Sequence, residues 1–156
     1  MELIKKLREE TGLSLAQIKK ALDEANGDET KAREILSAYS VASAEKKSDR
    51  ELSAGVVSSY IHSNATVGVL LQLGCETDFV AKNEEFVALA KDLAMHVCAM
   101  SPTSIDNEDG AGEETALMKQ SFIKNGEMNV EQRIQGAIQK FGENIKVIRF
   151  VRYSIN

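Results

Sequence analysis

Seven consecutive residues, Val67-Gly68-Val69-Leu70-Leu71-Gln72-Leu73, contain a single polar side chain and are followed by Gly74. A run this short, rich in branched aliphatics and closed by a glycine, reads as a buried strand. Downstream, Asn83 is a good N-cap for a helix beginning with Glu84 and Glu85, two carboxylates placed where the positive end of the helix dipole favours them. Between strand and helix lies the connection Thr77-Asp78-Phe79-Val80-Ala81-Lys82-Asn83, held rigidly at both ends. A phenylalanine there has two outcomes. It folds back into its own core, as apolar side chains usually do, or it stays out and fills a pocket on a partner. Asp78 immediately precedes it, and a carboxylate beside an apolar anchor resembles a contact tip more than a core position.

The chain around this connection reads as an α+β layer. Val56-Val57-Ser58-Ser59-Tyr60-Ile61-His62 and residues 66–73 are strand-like runs joined by Ser63-Asn64-Ala65, a polar turn whose Asn tolerates left-handed geometry. After the connection, Phe86, Leu89, Ala90, Leu93, Val97 and Met100 recur at helical spacing and would cover one face of the sheet. Ser101-Pro102 ends that helix, and a loop follows through Gly112. Two shorter helices are expected over 113–124 and 130–141, then a last strand over 144–153, rich in β-branched and aromatic residues. Three antiparallel strands under helices are the expected sum over residues 55–156.

Residues 1–40 read as three short helices. Leu3, Ile4 and Leu7 form one apolar stripe broken at Thr11-Gly12, and Ser14 can cap a second helix bearing Leu15, Ile18, Leu22 and Ala25. Asn26-Gly27 stops it, and Asp28 can cap a third helix with Ala32, Ile35, Leu36 and Tyr39 on one side. A bundle of about forty residues has little core and is marginal alone. Residues 41–54 change character to Ala, Ser and alternating charges, as expected of a solvated helix or linker.

Composition narrows function. A formal net charge of −5 argues against broad phosphate-backbone binding, so direct nucleic-acid contact is not expected. No apolar run approaches the roughly 18 to 20 residues of a membrane helix, and Met1-Glu2-Leu3-Ile4-Lys5 opens an amphipathic helix rather than a secretory signal, so the expected compartment is the cytoplasm. Cys75 and Cys98 are read as buried small hydrophobes in that reducing environment. His62 and His96 lack the spacing of a zinc site, and His96 is expected to be a packing residue. Glu76 and Asp78 alone are a poor cation site. The chain contains no phosphate-cradling Gly-x-x-x-x-Gly-Lys-Ser/Thr loop and no nucleophile paired with a base, so neither a cofactor nor a resident metal is expected. Two further readings remain open: a non-catalytic adaptor for protein partners, and a metal-dependent hydrolase built on His62, Glu76 and Asp78.

The segment Leu73-Gly74-Cys75-Glu76-Thr77-Asp78-Phe79-Val80-Ala81-Lys82-Asn83, with Leu7-Arg8-Glu9-Glu10-Thr11-Gly12, Lys19-Lys20-Ala21-Leu22-Asp23-Glu24-Ala25-Asn26-Gly27-Asp28 and Gly142-Glu143-Asn144-Ile145, resembles bacterial translation elongation factor Ts. The separated blocks occur in the family's order and span most of the chain. The resemblance implies a guanine-nucleotide exchange factor, not an enzyme, whose partner is the GTPase elongation factor Tu. It implies that Thr77, Asp78, Phe79 and Val80 disturb the partner's magnesium and phosphate site. It implies weaker contacts through His62, which ends a Tyr60-Ile61-His62 segment before the Val67 strand, and through Gly12, Leu13, Lys19 and Lys20 of a ubiquitin-associated-type domain at residues 1–40. Leu13-Ser14 and Gln17 depart from the family's common residues there. The strand-and-helix unit, present twice in many members, occurs once here, as in short forms that act as a homodimer; Ile148, Phe150 and Tyr153 of the final strand are the candidates for that pairing.

Overall fold

A computed structural model describes residues 1–156. Three helices come first: α1 (Glu2–Thr11), α2 (Leu15–Glu24) and α3 (Glu29–Lys47). Gly12 takes the left-handed conformation that ends α1, its N–H bonding the Arg8 carbonyl at 2.8 Å. Ser14 starts α2 with a reciprocal capping box to Gln17, and the Asp28 carboxylate accepts from Lys31 N at 2.9 Å to start α3. Leu7, Leu13, Ile18, Ala21, Ala25, Ala32 and Leu36 close a small core of their own.

The third helix does not stop near residue 40. It runs on through 41–47, where Ala, Ser and Lys favour helix and no Gly or Pro interrupts it, and Lys46 and Lys47 sit at its C-terminal, negative end. Its second half lies against helix α6 (Val130–Phe141): Ala44 packs on the main core, and the Ser40 hydroxyl donates to Gln139. One rigid rod therefore belongs to both cores, and only residues 48–53 connect it to the sheet.

The sheet has the order β1 (Ala54–Ile61), β2 (Val67–Cys75), β5 (Lys146–Ser154), all antiparallel with β2 central. Gly74 does not end β2, which continues to Cys75 against Ala54. Val56 and Tyr60 of β1, Val69, Leu71 and Leu73 of β2, and Val147 and Phe150 of β5 face helix α5 (Glu84–Met100), whose Phe86, Leu89, Leu93 and Val97 are fully buried. Gly55 is required where it stands: at φ +154° a Cβ would come within 2.3 Å of the Leu73 carbonyl oxygen. Because alternate side chains point to opposite faces, the inward turn of Phe150 places Val151 and Tyr153 on the open face, and the register shift between Gln72 and Leu73, which leaves Ile148 unpaired, brings Ile148 there as well.

Two local expectations fail. In the β1–β2 turn the left-handed residue is Ala65 (φ 59°), while Asn64 acts through its side chain, accepting from Thr66 N at 3.2 Å and Thr66 Oγ1 at 2.8 Å. The helix expected over 113–124 is absent. Two short 3₁₀ turns (Glu113–Thr115 and Leu117–Lys119) lead into a small hairpin, β3 (Ser121–Phe122) with β4 (Asn125–Asn129). Phe122 buries by stacking on His96, with 6.1 Å between ring centroids, a contact that holds this stretch in the hairpin.

Candidate functional site

The connection after β2 is a tight, well-tied turn. Thr77 is the N-cap of a one-turn helix, α4 (Asp78–Ala81), its Oγ1 accepting from Val80 N at 3.3 Å. Asn83 then caps α5, its side chain accepting from Glu85 N at 2.9 Å. Val80 and Ala81 are buried at 4 % and 6 % exposure and root the turn in the main core. Phe79 points the other way and is 84 % exposed, with Asp78 and Thr77 exposed beside it. Of the four residues grouped here by the sequence, Val80 is thus an anchor inside this chain, and Asp78 and Phe79 form the outward tip.

The turn is held from behind by the segment following α6. Glu143 Oε1 accepts from the backbone N–H groups of Glu76 and Thr77, each at 3.0 Å, and its Oε2 accepts from the Thr77 hydroxyl at 2.6 Å. In return the Glu76 carboxylate accepts from Asn144 N at 2.7 Å and lies 3.5 Å from the Arg50 guanidinium. Sequence reasoning had no mechanism for Glu143. It stood out only within the Gly142-Glu143-Asn144-Ile145 block; in the structure Gly142 ends α6 in a left-handed conformation (φ 71°) and turns the chain back toward β2.

The remaining residues lie elsewhere. His62 is exposed at the β1–β2 turn, where Ile61 pairs with Gly68, whereas the tip adjoins the Ala54–Cys75 end. With eight residues in β1, at about 3.3 Å each, the two ends are about 25 Å apart. His62, Glu76 and Asp78 therefore cannot share one ion, and the hydrolase reading falls. Leu13 is buried in the small core, and Gly12 abuts the Lys140 side chain, within a cavity of about 440 Å³ between the bundle and the main core. That loop faces the chain's own α6. Lys19 and Lys20 are exposed on α2, with Lys20 Nζ 4.0 Å from Glu24 and 5.6 Å from the centre of the Tyr39 ring.

Two titratable groups are shifted by their surroundings. Burial pushes the Cys75 thiol up, the nearby Glu143 carboxylate adding to the effect, so this cysteine stays protonated and unreactive. Burial pushes His96 down. Its Nδ1 accepts from Ile123 N at 3.1 Å, so the neutral ring carries its proton on Nε2 and donates to Gln120 Oε1 at 3.0 Å.

A family model described as Elongation factor TS matches residues 3–110 and, in a second overlapping match, residues 76–156. The chain belongs to the elongation factor Ts family. Proteins named Elongation factor Ts from Thermosipho melanesiensis and Thermodesulfovibrio yellowstonii are 40 % and 39 % identical, each alignment covering 99 % of this chain and 97 % or 94 % of the relative. The protein of that name from Thermotoga maritima is 40 % identical over 99 % of this chain and 95 % of its own length. These alignments run to 189 or 190 positions against 156 residues here, so these elongation factor Ts relatives carry stretches with no counterpart in this chain. Its role accordingly lies in protein biosynthesis, at the elongation stage of translation.

Proposed function

We propose that this chain is a guanine-nucleotide exchange factor for the GTPase elongation factor Tu, working in the cytoplasm without a cofactor of its own. The observation that carries the reading is the Phe79 ring, 84 % exposed beside Asp78 on a turn whose next two residues are sunk in the core. An aromatic ring left in water beside a carboxylate costs hydration free energy unless a partner covers it, and covering it recovers about 1.5 to 3 kcal/mol. A GTPase holds GDP through phosphate contacts and a magnesium ion that demands near-ideal octahedral geometry. A ring wedged between its helices prefers the form in which that geometry is disturbed, and Asp78 offers acceptors that fix the wedge and compete for donors near the metal. Coupling is reciprocal: whatever weakens GDP binding upon association lets incoming GTP weaken the factor's hold, and the factor leaves unchanged.

The open face of the sheet supports a homodimer. Val57, Ile61, Leu70 and Tyr153 are 68, 62, 51 and 74 % exposed on three adjacent strands, an apolar surface that a second copy with the same sheet would cover. A pull-down with elongation factor Tu combined with release of a fluorescent GDP analogue tests the reading. Accelerated release on adding this chain is expected. Binding without acceleration would replace exchange factor by adaptor.

A further inference from the structure

Thr77 and Glu76 differ from their neighbours in how completely their polar atoms are tied. The Glu76 N–H goes to Glu143, the Glu76 carbonyl accepts from Ser53 Oγ at 2.9 Å, and the Glu76 carboxylate takes Asn144 N. The Thr77 N–H and hydroxyl go to Glu143, and its carbonyl accepts from Ala81 N at 3.1 Å. Asn144, 1 % exposed, ties the same corner to the connection after α3 by donating from Nδ2 to the Arg50 carbonyl at 2.8 Å. The backbone behind the tip is held at each N–H and carbonyl of Glu76 and Thr77, whereas the ring in front of it is exposed. Three of those bonds end on a single carboxylate that lies 66 residues away in sequence.

We propose that Glu143 is a positioning residue for nucleotide exchange, locking the β2–α4 junction so that Asp78 and Phe79 meet the partner in one orientation. The proposal rests on the exchange reading above. Acceptance by a carboxylate is charge-assisted and stronger than a bond to a neutral oxygen, and two successive peptide units, Cys75–Glu76 and Glu76–Thr77, each donate their N–H to the same oxygen, so neither unit can rotate without breaking its bond to Glu143. With the carboxylate gone, the α4 turn keeps its own short bonds and the buried Val80 and Ala81, but the backbone leading into it loses two N–H acceptors and Thr77 its hydroxyl partner, and one turn of helix has little stability of its own. The wedge would then pay an ordering cost at each encounter.

Glu143→Ala and Glu143→Gln, each with Phe79 and with Phe79→Leu, separate this from a general structural role. Two readouts are used: fluorescent GDP release from elongation factor Tu, and hydrogen exchange of the backbone amides of Val80, Ala81 and Lys82. Glu143→Ala is expected to raise exchange at those amides by about tenfold or more, leaving Leu89 and Leu93 of α5 unchanged. It should slow GDP release by about tenfold with Phe79 present, and by no more than about threefold with Phe79→Leu, because the two residues act through one element. Glu143→Gln should recover part of both losses, since its Oε1 still accepts from both N–H groups but without the charge and without the second oxygen that takes the Thr77 hydroxyl. Unchanged amide exchange at 80–82, or equal slowing in both backgrounds, overturns the positioning role. If the unsubstituted chain does not accelerate release, the exchange reading and the part of this proposal that rests on it both fail, while the amide data judge the clasp separately.

Discussion

Phe79 and Val80 are adjacent, both apolar, and have opposite fates: one is 84 % exposed and the other 4 %. Their substitution should therefore separate function from folding. Val80→Ala is expected to cost about 1 to 3 kcal/mol of stability, through lost burial and a small cavity, and Phe79→Ala less than about 0.5 kcal/mol, both measured by urea denaturation. His96 predicts a pH dependence. Its folded pKa is lowered, so the unfolded chain binds the extra proton first, and stability present at neutral pH is lost as pH falls through the unfolded value of about 6.5. Thermal unfolding at pH 7.5 and pH 5 should show this loss, and in His96→Gln the portion due to the imidazole should disappear.

At the scale of elements, the three strands of the main sheet and most helix starts were legible because each is written in local chemistry: an apolar run for β2, Ser14, Asp28 and Asn83 as caps, and Gly12 as a stop. Asn83→Ala removes a cap bonded to Glu85 N and should cost about 1 kcal/mol, read as a lowered urea midpoint. What was not legible depends on partners distant in sequence. The stretch after Gly112 forms a hairpin instead of a helix because Phe122 and Gln120 pack on and bond to His96, more than twenty residues earlier. Helix α3 extends past the bundle because α6 offers it a surface, which residues 41–47 do not reveal on their own. For the same reason Glu143 was visible only within a familiar block. The bonds it makes to residues 76 and 77 exist only after the β2 end and the α6–β5 turn meet.

For the whole molecule, the tip and the open sheet face are separate surfaces of one frame. Leu70 and Tyr153 lie on neighbouring strands of the open face, Tyr153 opposite Gly68. Leu70→Glu should convert a dimer to monomer in sedimentation at micromolar concentration, with an unchanged circular dichroism spectrum. An unsubstituted chain that stays monomeric there would remove the dimer. The N-terminal helices are fixed to the main core by α3, so a partner gripping both parts meets them at one set spacing. The most direct measurement is the rate of GDP release from elongation factor Tu at saturating factor, for the chain as it stands and for Phe79→Ala. A fall of about tenfold or more, with both proteins melting at the same temperature, is the predicted result. Equal rates would contradict the claim that this ring opens the nucleotide site.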